Sequence, residues 1–241
     1  SASTSVASTN RTVERAIVPL INFTTDRGFG YGAYGALFYM GPDGPDPYAL
    51  QVGAQFYRTT GGYQDHKLVL DVPSLAGGRL RADRHLGWER WDQAYYFGQG
   101  NSLPRLRPDD TPKNLYAFGL NSVRVVSKAR YQIEGNWHGF AGQLVRTATI
   151  DVYPNSRLDQ DQPAGTGGGV LSQIFGGVMV DTRDHEFAPT AGSWSEISVR
   201  TAQSWLGSTW SMWGVNLTDR GYWSLGTPRL VLAHREGIDL Q

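Results

Sequence analysis

The sequence predicts an all-β fold, specifically a transmembrane antiparallel β-barrel of about 12 strands. Three observations support this prediction. Side chains alternate between two faces along most of the chain, aromatic residues concentrate at the ends of the alternating segments, and the segments are long. Many run for roughly 10 to 15 residues, whereas strands of ordinary globular proteins average about 5 to 6 and a strand that crosses a bilayer needs about 9 to 11.

The composition argues against several other classes of protein. The 241 residues carry 22 basic and 22 acidic side chains, and such a balanced charge is not expected of a nucleic-acid-binding protein. There is no cysteine, which excludes a disulfide framework and a thiolate metal site. Helical periodicity is almost absent, so we expect no helical segment, and no run approaches the roughly 20 apolar residues of a membrane-spanning helix.

Two parts are expected along the chain. Residues 1–12 are predicted to form a flexible polar N-terminal segment, since residues 1–10 are small and polar. This stretch has neither the basic start nor the apolar core of a signal peptide. Residues 13–241 are predicted to form the barrel, because no shift in composition marks a second domain. The sequence leaves open whether this barrel is complete at its C-terminal end.

The predicted strands follow one another as hairpins. Ile17, Pro19, Ile21 and Phe23 share one face of the first segment, which ends at a turn over 26–28. The later segments lie at 29–40, 50–57, 67–72, 79–97, 121–134, 140–153, 176–181, 193–205, 210–219 and 229–241. Long loops are predicted at 41–47, 98–113 and 154–170, and short turns at 26–28, 61–62, 134–136 and 206–208. Outer-membrane barrels have short turns at one end and long loops at the other.

The segment 121–134 shows the clearest alternation. Val123, Tyr131 and Ile133 share one face, which would contact lipid, while the opposite face carries charges that would line a lumen. The candidate lumen charges are Arg79, Arg81, Arg124, Lys128, Arg130 and Glu134. One interpretation is that these groups pair with carboxylates across the interior, because buried charges need partners. The other is that the cations face water as a ladder and favour anions.

Aromatic residues mark the ends of the predicted strands. Amphipathic rings settle at the lipid headgroup level and form two girdles around a transmembrane barrel, although rings can equally fill a core. The residues concerned are Phe29, Tyr31, Tyr39, Trp88–Phe97, Trp194, Trp205, Trp210, Trp213, Tyr222 and Trp223.

The stretch from Gly176 to Gly192 predicts the end of one strand, a charged turn and the start of the next. Asp181, Arg183 and Asp184 place two carboxylates and a guanidinium within four residues. Pro and Gly at 189 and 192 suit a tight turn, because Pro fixes one backbone angle and Gly tolerates positive ones. We predict that the three charged side chains hold this turn together and take no part in catalysis.

Three motifs, in order along the chain, carry a family resemblance. Residues 181–192 (DTRDHEFAPTAG) resemble the DTRDNxFxPTxG hairpin of the BamA/TamA family of barrels, the bacterial surface antigen superfamily, with His185 where Asn is usual. Tyr96–Asn101 (YFGQGN) is similar to the YYGxGN stretch of that family, and residues 18–33 resemble its first barrel hairpin. The motif residues are Asp181, Thr182, Arg183, Asp184, Phe187, Pro189 and Gly192.

The resemblance implies a barrel in the outer membrane of a Gram-negative bacterium. Members of the family have about sixteen strands, and they insert outer-membrane proteins or move polypeptides across that membrane. The family's POTRA domains, its Val-Arg-Gly-Phe loop and its aromatic closing strand are absent from this sequence. The expected form is therefore either a fragment or a reduced barrel. The implied partners are outer-membrane lipid, unfolded outer-membrane or secreted polypeptides, and partner subunits or further copies of the chain.

The sequence contains no recognisable catalytic or metal-binding motif, and we expect no catalytic residue, metal or cofactor. The five histidines show no metal-binding pair at i, i+2 or i, i+4: His66, His85, His138, His185 and His234. A Gly-x-Ser-x-Gly elbow is absent, and the Gly-rich run 165–169 lacks the Lys-Ser/Thr of a phosphate loop. Three functions stay open: an assembly or translocation barrel, a passive pore or structural barrel, and an outer-membrane lipid hydrolase.

Overall fold

The computed structural model describes residues 13–40, 48–99, 114–227 and 229–241. The predicted N-terminal segment 1–12 therefore lies outside the described residues, as do Gly100 and Asn101 of the second motif. Eleven strands are formed: β1 (Val13–Thr24), β2 (Gly28–Tyr39), β3 (Leu50–Thr59), β4 (Tyr63–Leu75), β5 (Leu80–Tyr95), β6 (Ala117–Glu134), β7 (Trp137–Val152), β8 (Gly169–Asp181), β9 (Gly192–Ala202), β10 (Met212–Ser224) and β11 (Val231–Leu240).

The strands form one antiparallel sheet in the order β1 to β11, each hydrogen-bonded to its neighbours in sequence. This is the continuous hairpin arrangement that the alternation predicts, and the predicted fold class is confirmed. The strands contain between 10 and 18 residues, which is well above the usual length in globular proteins. Within the described part of the chain, β1 and β11 are the two edges of the sheet and do not pair with each other.

The expectation of no helical segment is wrong in the β7–β8 loop, where α1 (Arg157–Asp161) forms one turn. The cause is local capping, which periodicity over such a short stretch does not reveal. Ser156 adopts an extended conformation and its hydroxyl accepts a hydrogen bond from the Asp159 amide at 3.1 Å. Residues Ser204–Leu206 form a further 3₁₀ turn, so that β9 ends at Ala202 rather than at Trp205.

The pairing register divides the strands into two faces. We call the face that carries Asp71, Arg81 and Lys128 the inner face, and the opposite one the outer face. Large apolar side chains lie exposed on the outer face: Ile17 is 80% exposed and Ile21 is 71% exposed. A soluble barrel would cover such a continuous apolar surface, whereas a lipid-facing barrel presents it to the bilayer.

The predicted separation of short turns from long loops is wrong. Hairpin order places the turns after β1 and β3, and the loop after β9, at the same end of the sheet as the long β5–β6 and β7–β8 loops. The 134–136 turn lies at the other end, together with the β8–β9 loop. The end at which a loop lies is set by the number of preceding strands, and its length carries no such information.

The aromatic residues divide between the two faces. Phe29, Tyr31, Trp213 and Trp223 are exposed near strand ends, where girdle residues are expected. Trp194 instead packs against Arg220, whose guanidinium carbon lies 4.7 Å from the ring centroid on the inner face. Among the described residues, no helix is long and apolar enough to span a bilayer.

Candidate functional site: the β8–β9 loop and the inner face

Residues 182–191 connect β8 to β9 and lie against the inner face of the sheet. The connection begins with a backbone pair, since the Thr182 amide donates to the Ser193 carbonyl at 2.8 Å. The Ser193 amide in turn donates to the Thr182 hydroxyl at 2.9 Å. Gly192 follows with φ +92°, where a Cβ would be strained and would overlap the Thr182 carbonyl oxygen. Gly at this position is therefore required by the close approach of the two chains.

Arg183 is held by a bidentate ion pair with Asp181. The Arg183 Nε lies 2.8 Å from Asp181 Oδ1 and its Nη2 lies 2.7 Å from Oδ2. The Arg183 Nη1 also donates to the Glu186 carbonyl at 3.0 Å, which closes the loop on itself. The Arg183 side chain is only 11% exposed. Hydrogen bonding to Asp181 raises the pKa of Arg183, and paired charges of this geometry are among the stronger polar contacts in proteins.

Asp184 organises the second half of the loop. Its Oδ1 accepts hydrogen bonds from the amides of Thr190 and Ala191 at 2.9 and 3.2 Å, and its Oδ2 accepts from the Thr190 hydroxyl at 2.6 Å. These bonds favour the ionised carboxylate and lower the pKa of Asp184 to about 2. The aspartate therefore caps the amides of Thr190 and Ala191, while its own amide donates to the Ala191 carbonyl at 3.2 Å.

The remaining motif residues have smaller roles in the loop. His185 Nδ1 accepts hydrogen bonds from the amides of Phe187 and Ala188, each at 3.2 Å, so that this nitrogen is unprotonated in the arrangement observed. An Asn carbonyl oxygen at this position can accept in the same way. Phe187 is 64% exposed, and Pro189 is half-buried within the loop.

The loop is tied to β5 through Glu186. Its Oε1 lies 2.6 Å from Arg81 Nη1, although the two residues are 105 positions apart in sequence. Arg81 simultaneously makes a bidentate pair with Asp71 on β4, at 2.9 and 2.7 Å, and the Asp71 residue is only 3% exposed. A second tie joins the loop to β10, where the Ser224 hydroxyl donates to the Thr190 carbonyl at 2.9 Å. We call these contacts the loop tether.

A chain of hydrogen bonds extends the tether across the inner face. The Tyr48 hydroxyl lies 2.6 Å from Asp71 Oδ2 and 2.7 Å from Gln51 Oε1, and Gln51 Nε2 donates to the Tyr34 hydroxyl at 2.9 Å. Burial and the hydrogen bond to Asp71 raise the pKa of Tyr48. The network thus runs from β2 to the β8–β9 loop and satisfies the buried Asp71 carboxylate.

Two polar cavities adjoin the loop. One of about 540 Å³ lies between the loop and the inner face of β2 to β6, and it is lined by Asp83, His85, Lys128, Arg130 and Phe187 among others. The second, of about 260 Å³, lies under the loop beside Arg130 and His138. The described residues contain no cluster of three or more His, Cys, Asp or Glu side chains that could hold a metal ion.

The candidate lumen charges lie in different settings. Arg81 belongs to the tether, Arg130 lines both cavities, and Lys128 Nζ lies 4.1 Å from the ring centroid of Phe140. Arg124 lines a smaller cavity of about 150 Å³ with Glu89 and Arg146, and those two residues pair at 3.4 Å.

The two other candidate charges lie near the ends of their strands. Glu134 is the exposed last residue of β6. Arg79 lies exposed in the β4–β5 turn, with its guanidinium carbon 5.9 Å from the ring centroid of Tyr131.

Sequence reasoning missed most partners of the tether. The sequence places Asp71 within the predicted strand 67–72 without indicating a role for it, and it does not single out Tyr34, Tyr48, Gln51 or Glu186. A signal for Asp71 exists, because it is a lone acid in the apolar run 68–72. No spacing rule indicates that Glu186 meets Arg81, since that contact depends on the curvature of the whole sheet.

One arrangement resembles a hydrolase site but differs from it in order. Ser195 Oγ donates to Asp219 Oδ1, and His234 Nε2 lies 2.9 Å from Asp219 Oδ2 on the outer face. The carboxylate thus lies between the other two residues, whereas a catalytic triad places the imidazole next to the hydroxyl. No serine hydroxyl is hydrogen-bonded to a histidine ring anywhere in the described ranges.

Comparison with known proteins agrees with this architecture. No curated protein matches the chain. Among solved structures, BamA from Haemophilus ducreyi lacking POTRA domains 1–3 matches with a TM-score of 0.54 and 13% sequence identity. The match covers 95% of this chain and 41% of the BamA chain, so that this chain spans about two fifths of its relative's length. This likeness shows the fold.

A match to a family model shows the family of the chain as well as its fold. The model of the Omp85 superfamily domain matches residues 50–240, which is most of the chain and includes the β8–β9 loop. The resemblance read from the three sequence motifs is thereby confirmed. The chain belongs to the Omp85 superfamily, whose members are outer-membrane β-barrels.

Proposed function

We propose that the chain is the wall of an integral outer-membrane barrel that inserts polypeptides into that membrane or translocates them across it. Superfamily membership supports this function, and the single structural observation that carries it is the tethered β8–β9 loop. The loop lies on the polar side of the sheet, where the Glu186–Arg81 ion pair and the Ser224–Thr190 hydrogen bond hold it. Such contacts can be exchanged for contacts with a passing polypeptide.

The inner face carries polar groups that can form hydrogen bonds with the backbone of an extended polypeptide. A chain crossing a bilayer must find partners for its backbone N–H and C=O groups, because lipid supplies none. The cavities of about 540 and 260 Å³ that adjoin the loop offer carboxylates, guanidiniums and hydroxyls for that purpose. The proposed partners are therefore outer-membrane lipid on the outer face and unfolded outer-membrane or secreted polypeptides on the inner face.

Depletion of the protein that carries this chain tests the proposal. We expect the amounts of folded outer-membrane proteins or of secreted proteins to fall, and wild-type protein supplied in trans to restore them. A loop-release variant, Arg81→Ala with Glu186→Ala, should restore them poorly. The matched control is Arg90→Ala, because Arg90 is exposed and its only ion pair within the described part of the chain is with its near neighbour Asp92. Unchanged protein levels after full depletion would contradict the proposal.

A passive pore is the second candidate, and one observation favours it. Within the described residues, Arg124, Lys128 and Arg130 of β6 form no ion pair within 4.0 Å, whereas Arg81, Arg146, Arg183 and Arg200 do. A row of such cations facing water would attract anions. Planar-bilayer recordings should then show steady conductance with anion preference, reduced in Arg124→Gln/Arg130→Gln. Cation preference, or no conductance, would contradict the pore.

A further inference from the structure

The outer face of β7 to β11 carries an apolar trough. Two adjoining grooves, of about 440 and 600 Å³, follow the strands one after the other. Small residues form its floor at Ala141 and Gly176, and larger ones form its sides. The apolar side chains of its outer-face lining include Trp137, Val180 and Ile197 in the first groove and Ile174, Val199 and Trp213 in the second.

The length of the trough matches one leaflet of a bilayer. It follows β8 from Val180 to Ile174, and the six steps between these residues extend over roughly 20 Å. The hydrocarbon core of a bilayer is about 30 Å thick, and strands of such barrels are tilted by about 35–45°. The trough therefore covers about half of the core, which is the reach of one acyl chain.

Carboxylates lie at one mouth of the trough. Asp219 on β10 and Glu236 on β11 are paired directly opposite each other in the register, and both line the first groove. Asp219 accepts a hydrogen bond from Ser195 and lies 2.9 Å from His234 Nε2, whereas Glu236 is exposed. Like charges directly opposite each other destabilise a sheet unless a cation lies between or beside them.

The position of this mouth corresponds to the headgroup level. Trp223 stacks on His234 with 5.0 Å between the ring centroids, and Trp137 lines the same groove; both tryptophans are exposed. Tryptophans on the outside of a membrane barrel are enriched at the interface with the headgroups. The carboxylates thus meet the polar part of a lipid while the trough meets its tail.

We propose that this trough binds one phospholipid whose headgroup carries a primary amine. The ammonium group lies between Asp219 and Glu236, and one acyl chain lies along the trough over Ala141 and Gly176. Charge complementarity selects this occupant, because a lipid with a net negative headgroup would meet two carboxylates. The inference rests on the proposed membrane location, and it does not depend on insertion or translocation activity.

Native mass spectrometry tests the inference on protein reconstituted with equal amounts of phosphatidylethanolamine, phosphatidylcholine and phosphatidylglycerol and then released into detergent. Wild-type protein should retain one phosphatidylethanolamine molecule in preference to the others. Glu236→Gln should lower that retention about five-fold, which is the order that one partly exposed ion pair supplies. Ala141→Leu, which fills the floor of the trough, should lower retention of all three lipids.

The matched control is Asp151→Asn, since Asp151 is an exposed outer-face carboxylate at the opposite end of β7. This variant should retain phosphatidylethanolamine as wild type does. Equal retention of the three lipids by wild type, or no change in Glu236→Gln and Ala141→Leu, would overturn the amine-lipid site and leave the membrane location intact. Failure of the protein to enter bilayers at all would overturn both.

Discussion

The β6–β7 turn and the β8–β9 loop leave the same end of the sheet but are stabilised in different ways. The β6–β7 turn has two residues beyond Glu134, and its side-chain contacts are local, such as that from Gln132 Nε2 to the Gly135 carbonyl at 2.7 Å. The β8–β9 loop has ten residues and makes contacts with β5 and β10. The first is determined by its own sequence, and the second by the fold around it.

Substitution at Gly192 should give the largest difference between the two connections. Gly192→Ala forces a side chain into positive φ and against the Thr182 carbonyl, and we expect roughly 3 kcal/mol of destabilisation or more. Gly135→Ala is the control, because Gly135 has φ +52° but open space around its Cα, so that about 1 kcal/mol is expected. Urea unfolding in lipid vesicles measures both. Equal losses would show that the close approach at Gly192 is unimportant.

Removal of the Arg183 side chain should have the next largest effect. Arg183→Ala leaves Asp181 without its bidentate partner, which should cost about 2 kcal/mol and lower the folding yield. Heat-modifiability on gels measures the yield, and Arg58→Ala, at an exposed position, is the control. If transport or insertion fell while folding stayed intact, the structural assignment of Arg183 would be wrong.

Release of the tether alone should have a smaller effect on stability. Glu186→Gln weakens the ion pair with Arg81 but leaves the Arg81–Asp71 pair in place, so that at most about 1 kcal/mol is expected. Hydrogen exchange should nevertheless quicken across residues 183–190, while exchange in the β6–β7 turn stays unchanged. Equal exchange in wild type and variant would argue that the tether does not hold the loop.

Acidification should produce the smallest and most local change. The pKa of Asp184 lies at about 2 in the folded loop, below its ordinary value of 3.8. A lowered pKa means that the stabilisation is fully present above about pH 4 and is lost as pH falls toward 2. Amide exchange at Thr190 and Ala191 should quicken in that window, as measured by NMR in micelles, and Asp184→Asn should remove the pH dependence. Unaltered exchange down to pH 2 would contradict the capping role.

The same contrast explains what could be read from the sequence. Strand identity and the lipid-facing side follow from two-residue alternation, as in Ile17 to Phe23, because the pleat alone sets them. The charged turn was located from its motif, and its internal pairs involve near neighbours such as Asp181 and Arg183. The Arg81–Glu186 contact could not be predicted from the sequence, because it depends on how eleven strands curve together. The α1 turn was not predicted, because five residues are too few to show helical periodicity and the turn is stabilised by the capping hydroxyl of Ser156.

The central claim is that the tether holds the β8–β9 loop against the inner face, and a spin-label distance tests it most directly. The chain has no cysteine, so that Ala188→Cys on the loop and His85→Cys on β5 give one defined pair of labels. Double electron–electron resonance in lipid vesicles should show a single narrow, short distance in this background, and Glu186→Gln should broaden it. A broad distribution before Glu186 is changed would contradict the claim.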